Sequence, residues 1–282
     1  MTPERRLAQA GALGSHLPPL LLAAERIAAT VSQGVHGRRR AGQGDSFWQF
    51  RPLAPGEAGG RVDWRQTARA GRAYVRQTEW EAAQTAALWL DPAQSLNWRS
   101  SRQLPSKRER AHLLLLALGA LFLQAGEQLR LLGAPGTMRG QHGLHRLAER
   151  MEVSAPPYPE AAALPRHAAV VLAGDWLAAP EHVAAYISQV AARSARGVVL
   201  QVLDPAELEL PYHGRVRFDA MGLASALVGR VETARGLYQE RLAAHQARLG
   251  EICRQAGLRL LVHRTDQPPQ TALLACYEAL SG

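Results

Sequence analysis

The chain has 282 residues, of which 47% are hydrophobic and 20% are charged, and its formal net charge at pH 7 is +9. This composition supports one large core or two modest ones and excludes a mainly disordered chain. The positive charge, carried by arginines and one lysine (Lys107), favours an anionic partner such as nucleic acid, an anionic membrane or an acidic protein face.

Residues 1–82 predict a small basic module made of a helix, a loop and short strands. An amphipathic pattern with proline in its first turn predicts a helix over 19–33. A basic loop punctuated by glycine follows it. Alternating aromatic residues at 47–50 predict a short strand, and residues 72–80 predict a second one. This module is too small to hold a core alone, so we expect it to pack on the rest of the chain.

Residues 83–282 predict a separate α/β domain, because apolar strands alternate with helical patterns. The alternation indicates a doubly wound, mostly parallel sheet with both faces buried. Residues 216–220 predict an extra edge strand. The main strands are predicted in the segments 86–92, 127–136, 167–175, 197–205 and 258–266, and the helices at 105–125, 141–151, 179–195, 229–257 and 268–280.

Acidic residues stand at the carboxyl ends of four of the five predicted main strands: Asp91, Asp175, Asp204 and Asp266. Thr137 lies near the remaining strand end. Sites in a doubly wound sheet form at the carboxyl ends of its strands, and carboxylates with hydroxyls can bind a hard cation such as Mg²⁺. The alternative role is capping of the next helix. The proline that directly follows Asp91 and Asp204 makes that role less favoured for these two.

Motifs of common enzyme classes are absent from the sequence. It has no Walker A loop, no Gly-x-Ser-x-Gly elbow and no complete dinucleotide fingerprint. His142 and His145 have the spacing of one helical turn, but without further ligands they predict surface histidines rather than a zinc site. We therefore expect a protein that is not an enzyme.

Arginines concentrate in residues 38–76 and offer a second interpretation of the chain. Arg38, Arg39 and Arg40, together with arginines at 61, 65, 69, 72 and 76, could contact phosphates, while Trp48 and Trp64 could stack on bases. Interleaved acids such as Asp63 and Glu79 favour intramolecular ion pairs instead. Binding of nucleic acid or another anion through this block is the alternative function.

Residues 36–81 also contain a series of spaced motifs. A basic loop with Gly-x-Gly-x-x-Phe is followed by Arg-x-x-x-Pro-Gly-Glu, then by Asp-Trp with Ala-Arg four residues later, and then by Val-Arg-x-x-Glu-x-Glu. This series resembles the signature of the bacterial "domain of unknown function 58" family. The matching positions are Gly42, Gly44, Phe47, Arg51, Pro55, Gly56, Asp63, Trp64, Ala68, Arg69, Val75, Arg76, Glu79 and Glu81.

The resemblance implies a von Willebrand factor A-like fold and a role beside MoxR-type AAA+ ATPases, whose genes commonly neighbour this family. It also implies a degenerate metal-ion-dependent adhesion site. The family's Asp-x-Ser-x-Ser element appears here with Asp91 and Ser95 retained and Ala93 in place of the middle serine. Thr137 and Asp175 join this site by strand order. Mg²⁺ is the cofactor that such a site implies, and no catalytic activity is established for the family.

These observations favour a cytoplasmic adaptor that binds a protein partner rather than nucleic acid. The two cysteines, Cys253 and Cys276, cannot form a thiolate metal cage and fit a reducing compartment. The longest apolar run, 113–123, is too short to span a membrane and predicts a buried helix. We also expect Trp64 to be buried between the module and the α/β domain, with Asp63 paired to a local arginine.

Overall fold

The computed structural model describes residues 22–32, 47–52, 67–69, 74–78, 85–140, 142–153, 156–219 and 225–281. The helices are α1 (22–32), α2 (Lys107–Gln124), α3 (His142–Met151), α4 (Pro180–Ala191), α5 (Pro205–Glu209), α6 (Val231–Gln255) and α7 (Pro269–Ser281). The strands are β1 (Phe47–Pro52), β2 (Tyr74–Thr78), β3 (Thr85–Leu90), β4 (Gln128–Leu131), β5 (Thr137–Met138), β6 (Ala168–Gly174), β7 (Ser194–Leu203), β8 (Val216–Phe218), β9 (Ala226–Val228) and β10 (Arg259–Arg264).

Six strands form the central sheet in the order β10-β7-β6-β3-β4-β5. All neighbouring pairs are parallel except β4 and β5, which are antiparallel. The predicted mostly parallel α/β sheet is confirmed. The chain enters this sheet at β3 and continues to β4 on one side, whereas the connection from β6 leads to β7 on the other side. The order of the strands therefore reverses between β3 and β6.

Helices cover both faces of this sheet, as the near-continuous apolar strands predict. Along β3, Ala86, Leu88 and Leu90 belong to one hydrophobic cluster, while Ala87 and Trp89 belong to another. The first cluster contains buried residues of α1, α2, α3 and α7, and the second contains those of α4 and α6. Alternate side chains of each strand thus pack against different helical layers.

The sequence of α2 explains both its start and its burial. The Ser106 hydroxyl accepts a hydrogen bond from the backbone N–H of Glu109, and the Glu109 carboxylate accepts one from the N–H of Ser106, which forms a capping box. The apolar run 113–123 lies inside this helix and is largely buried, as predicted. Among the helices of the described residues, none combines the length and apolarity that crossing a membrane requires.

The helix α1 shares the core of the α/β unit. Its buried residues Ala24, Ile27, Ala28 and Val31 recur every three or four positions and join the cluster that contains α2 and α7. The strands β1 and β2 form an antiparallel ribbon of their own. A division of the chain at residue 82 stays a prediction.

The prediction of an extra edge strand at 216–220 was wrong in its placement. The strand β8 pairs with β9 in a separate antiparallel ribbon and adds nothing to the central sheet. A strand of three residues has too few apolar side chains to be held in the central sheet by burial. It pairs instead with β9, which is close to it in the sequence. The short elements β5, α5 and β9 were not predicted. The two outer strands of the central sheet are β5 and β10, and Val262 on β10 is exposed.

Candidate functional site at the carboxyl edge of the sheet

The loops that follow β3, β6 and β7 meet where the strand order reverses, and we call this region the carboxyl edge. Asp91 directly follows β3 and Asp175 directly follows β6, so the two acids leave neighbouring strands. The backbone N–H of Asp91 donates to the carbonyl of Ala173 at 2.8 Å. A Cβ on Gly174 would lie 2.9 Å from Cβ of Asp91, so glycine permits the close approach of the two loops. Binding sites of doubly wound sheets form at such a reversal.

Asp175 lies at the centre of this edge and is almost completely buried. Its Oδ2 accepts a hydrogen bond from the Ser95 hydroxyl at 2.6 Å and from the Lys107 ammonium at 3.0 Å. The structure therefore brings together two of the predicted site residues, Ser95 and Asp175. A carboxylate that is removed from water needs such partners, because an unpaired buried charge is costly.

Lys107 occupies the first position of α2 and is 1% exposed. Its ammonium also donates to Oε1 of Glu207 at 2.6 Å. Burial raises the pKa of the Glu207 carboxyl, while the charge of Lys107 opposes that rise. We refer to Lys107, Ser95, Asp175 and Glu207 as the Lys107 cluster. It joins the loop after β3, the end of β6 and the helix α5 that follows β7.

The backbone beside Asp175 is held by three further side chains. Trp176 has a φ of 56°, in the left-handed region that bulky residues rarely adopt. Gln201 donates to the carbonyl of Asp175 at 2.9 Å, and Nε2 of His245 lies 2.7 Å from the carbonyl oxygen of Trp176. The indole N–H of Trp176 donates to the carbonyl of Leu200 at 3.2 Å. These contacts fix the strained turn that aims the carboxylate of Asp175.

Asp91 is half-buried beside the Lys107 cluster. Burial raises the pKa of its carboxyl, and the nearby Asp175 raises it further, whereas Arg108 and Lys107 lower it. Oδ1 of Asp91 accepts a hydrogen bond from the backbone N–H of Ala93 at 2.9 Å. Asp91 thus stabilises the loop that follows β3, and its carboxylate also lies close enough to Asp175 to interact with it electrostatically.

Asp204 caps a helix, and the expectation that a following proline disfavours this role was wrong here. Its Oδ1 accepts from the N–H of Ala206 at 2.9 Å, and Glu207 completes a capping box. Pro205 stands at the first helical position, which needs no N–H donor. Oδ2 of Asp204 accepts from the N–H of Ser100 at 2.9 Å, so both oxygens have structural partners.

The remaining predicted residues lie apart from the Lys107 cluster. Thr137 is exposed at the start of the two-residue strand β5, opposite Arg130 of β4, and not in the loop that directly follows β4. Asp266 forms a paired contact with Arg264 at 2.8 Å, which lowers the pKa of the Asp266 carboxyl. His142 and His145 are exposed on α3. Within the described part of the chain, no group of three His, Cys, Asp or Glu residues could hold a metal ion.

An open cavity of about 350 Å³ is lined in part by Leu90 and Pro92, the sequence neighbours of Asp91. Arg108 and Asn97 also line it, and Nε of Arg108 donates to Oδ1 of Asn97 at 2.7 Å. His112 is buried in the wall, and burial lowers its pKa to about 4, so it is neutral at pH 7. Polar and apolar side chains share the lining, among them Leu90, Gln94, Arg108, Leu131, Glu152 and Val153.

The residues of the Lys107 cluster do not fit a divalent cation. A hard cation needs six or more oxygen ligands, and carboxylates supply the strongest of them. Oδ2 of Asp175 is already engaged by an ammonium and a hydroxyl, and Oδ1 of Asp91 is engaged by its own loop. The positive charge of Lys107 would also repel a cation bound at Asp175.

Much of the arginine-rich block lies outside the described residues. This holds for Arg38, Arg39, Arg40, Pro55, Gly56, Asp63, Trp64 and Glu79. Arg51 and Val75 are opposite each other in the ribbon of β1 and β2, and Arg76 is opposite Phe50. Ala68 and Arg69 form part of a helical turn at 67–69, and both are exposed.

Sequence reasoning missed Lys107, Glu207 and Gln201. Lys107 precedes two arginines at the start of a helix, which is the usual pattern of a solvated helix end. The feature of the sequence that could have indicated Lys107 is its residue type. It is the one lysine of the chain, and the other residues with a permanent positive charge are arginines. Gln201 interrupts the apolar run of β7, and a polar residue within a buried strand indicates a specific hydrogen bond.

Comparisons with known proteins identify relatives of this chain. The sequence model of a family described as "Protein of unknown function DUF58" matches residues 49–248, which is well over half of the chain. Among solved structures, an aerotolerance-related membrane protein from Bacteroides fragilis, crystallised with multiple mutations to serines, is 12% identical with a TM-score of 0.44. The match covers 71% of this chain and 99% of that one. No curated protein matches.

Proposed function

Since this chain belongs to the DUF58 family of proteins of unknown function, we propose that it is a non-catalytic module that binds a partner protein. The docking surface in this proposal is the carboxyl edge of the sheet. The observation that carries it is the open, mixed polar and apolar cavity of about 350 Å³ beside a rigidly held set of loops. Loops on a fixed scaffold are where binding residues concentrate.

The chemistry of the cavity supports a protein ligand. Arg108 supplies a positive charge, Glu152 a negative one, and Leu90 and Val153 supply apolar surface. A partner side chain with an apolar stem and a polar end matches such a lining. Val153 is 71% exposed, so the rim of the cavity is open to another protein.

The ionisable groups at this edge have structural partners, which supports a role without catalysis. Lys107 is fixed between two carboxylates, and Asp204 caps α5. His112 lies 3.3 Å from the carbonyl oxygen of Met151. A catalytic acid or base must instead reach the substrate proton.

The partner in this proposal is a MoxR-type AAA+ ATPase, for which the chain acts as an adaptor. This part rests on the resemblance of residues 36–81 to a family whose genes neighbour those of such ATPases. We assign the α/β unit to the von Willebrand factor A type on the same ground, supported by Asp91 and Ser95 at the reversal of the strand order. A cytoplasmic location completes the proposal and is supported by the free thiols of Cys253 and Cys276.

Calorimetric titration of the full chain with the MoxR-type ATPase of the same organism tests this proposal. The variants Gln94→Arg and Val153→Arg place bulk and charge at the exposed rim of the cavity, and each should weaken binding at least about tenfold, as at an interface hot spot. Leu237→Arg on the exposed half of α6 is the matched control and should bind as the wild type does. Equal affinity of all four proteins would move the docking surface elsewhere, and no binding of the wild type would remove the ATPase as partner.

A further inference from the structure

The chain contains one lysine, and that lysine is buried at the reversal of the strand order. Its ammonium lies 3.0 Å from a carboxylate oxygen of Asp175 and 2.6 Å from one of Glu207. The Ser95 hydroxyl donates to the same oxygen of Asp175. The implied Mg²⁺ would draw its ligands from this place, yet a positive charge that belongs to the chain already occupies it.

We infer that the Lys107 ammonium is a permanent internal cation that replaces a divalent ion at the carboxyl edge. It performs the structural task of such an ion, because it neutralises two carboxylates and ties together the loops after β3 and β6 and the helix after β7. The order of this edge is then independent of the Mg²⁺ concentration. This inference concerns the chain itself and does not depend on the proposed partner.

The choice of lysine follows from the size and geometry of the space. An ammonium is compact, carries three donors and ends a flexible stem, whereas a guanidinium is a planar fork with five donors. The ammonium is buried with carboxylate oxygens as its partners, so the two additional donors of an arginine would lack acceptors there. At every other position with a lysine or an arginine, the chain has an arginine, so the lysine at 107 is an exception in its composition.

The electrostatics of the cluster exclude a second cation. A divalent ion bound to Asp175 would lie within a few ångströms of the ammonium, in a region where water screens little. Displacing the ammonium would bury it without a partner, which is more costly still. Asp91 has a half-buried carboxylate that does not contact the ammonium, and one carboxylate holds Mg²⁺ weakly.

The single lysine makes the test unusually direct. Incorporation of isotopically labelled lysine gives nuclear magnetic resonance signals from residue 107 alone. Titration with Mn²⁺, a paramagnetic ion that mimics Mg²⁺, should leave these signals sharp up to millimolar concentrations, and Mg²⁺ should leave the melting temperature unchanged. Broadening at stoichiometric Mn²⁺ that disappears in Asp175→Asn would overturn the inference.

Two substitutions of Lys107 extend the test. Lys107→Met keeps the stem but removes the charge, so the freed carboxylates should acquire Mn²⁺ affinity at least tenfold above that of the wild type, with a melting temperature that rises on addition of Mg²⁺. Lys107→Arg should lower the melting temperature without creating metal affinity. If Lys107→Met does not fold, the wild-type titration decides alone. A folded Lys107→Met protein with unchanged stability and no metal affinity would contradict the structural role.

Discussion

At the scale of single residues, Asp204 shows how one side chain can serve two loops. One carboxylate oxygen caps α5, and the other accepts a hydrogen bond from Ser100, 104 positions away in the sequence. Asp204 itself is completely buried, so water does not reach its carboxylate. Loss of the carboxylate would leave two backbone N–H groups without acceptors.

Asp204→Ala should therefore lower the free energy of unfolding by about 2 kcal/mol or more, through the lost cap and the unsatisfied donors. Asp204→Asn retains an oxygen acceptor and should cost less. The control is Asp219→Ala, which removes an exposed ion pair with Arg217 and should change stability by less than about 0.5 kcal/mol. Equilibrium denaturation in urea measures all three, and equal midpoints for Asp204→Ala and Asp219→Ala would contradict the capping role.

Two histidines are buried in their neutral form, and both carry a pH dependence. Burial lowers the pKa of His112 and of His263 from 6.5 to about 4. Between these values the unfolded chain binds protons that the folded chain does not. The free energy of unfolding should thus fall as the pH is lowered from 6.5 to about 4, by up to about 3 kcal/mol per histidine.

His263→Leu isolates one of these two contributions. Between pH 7 and pH 4.5, the variant should lose about 2 kcal/mol less stability than the wild type, because the unfolded variant has one fewer proton to bind. His182→Gln, at an exposed position on α4, should follow the wild-type curve. Parallel curves for His263→Leu and the wild type in denaturation at each pH would show that His263 is not buried neutral.

The sequence predicted which acids lie at the strand ends better than it predicted what those acids contact. Acids at strand ends were correctly located, because strand ends follow from hydrophobic pattern alone. A cap and a metal ligand use the same residue types, however, so the pattern could not separate the role of Asp204 from that of Asp175. The partners of Lys107 lie 68 and 100 residues away, and no local pattern reports such contacts.

At the scale of elements, α6 has two halves with different surroundings. Leu249, Ile252 and Cys253 near its end are buried in the cluster under the sheet. The earlier turns are mostly exposed and contact α5 through polar groups, such as the Tyr238 hydroxyl, which donates to the carbonyl of Glu207 at 2.7 Å. The sequence predicted one continuous helix over this range. Charged residues occur in both halves of the helix, so the sequence pattern did not indicate the position at which burial begins.

Substitution of one leucine in each half tests this difference. Leu249→Ala should lower the free energy of unfolding by about 2–5 kcal/mol, because Leu249 is 2% exposed and its removal leaves a cavity. Leu237→Ala should change it by less than about 0.5 kcal/mol, since Leu237 is 53% exposed. Denaturation in guanidinium chloride measures both. A large effect at Leu237 would indicate that the first half of α6 is covered.

Elements with a long apolar or amphipathic pattern were predicted near their observed positions, although the segment 127–136 predicted for β4 runs past the observed end of that strand at Leu131. Their periodicity reflects burial against the sheet, and burial is what the pattern encodes. The strand β8 has no such pattern, and its observed position is set by its pairing with β9. A three-residue strand is specified by its turn and its partner more than by its own residues.

At the scale of the whole molecule, the central sheet separates two hydrophobic layers with one thiol in each. Cys276 on α7 belongs to the layer with α2, and Cys253 on α6 belongs to the layer with α4. Burial raises the pKa of each thiol to about 12. Both are therefore inaccessible and protonated in the folded chain, so neither is nucleophilic.

Alkylation should consequently report unfolding of each layer separately. In buffer near pH 8 both thiols should resist iodoacetamide, and in urea both should react over the same narrow concentration range if the two layers unfold together. Mass spectrometry of the peptides that contain Cys253 and Cys276 distinguishes them. Reaction of one thiol well below the unfolding transition would show that its layer opens independently.

The position of β10 has a consequence for solubility. As the outer strand of the sheet, it presents backbone groups that could pair with another copy, and the exposed Val262 makes that pairing favourable. Each copy carries a net charge of +9, so two copies approaching along this strand repel one another at low ionic strength. Added salt screens the repulsion and should promote precipitation. The excess of arginine should thereby oppose edge-to-edge association of copies along β10, and light scattering at increasing salt concentration measures that association.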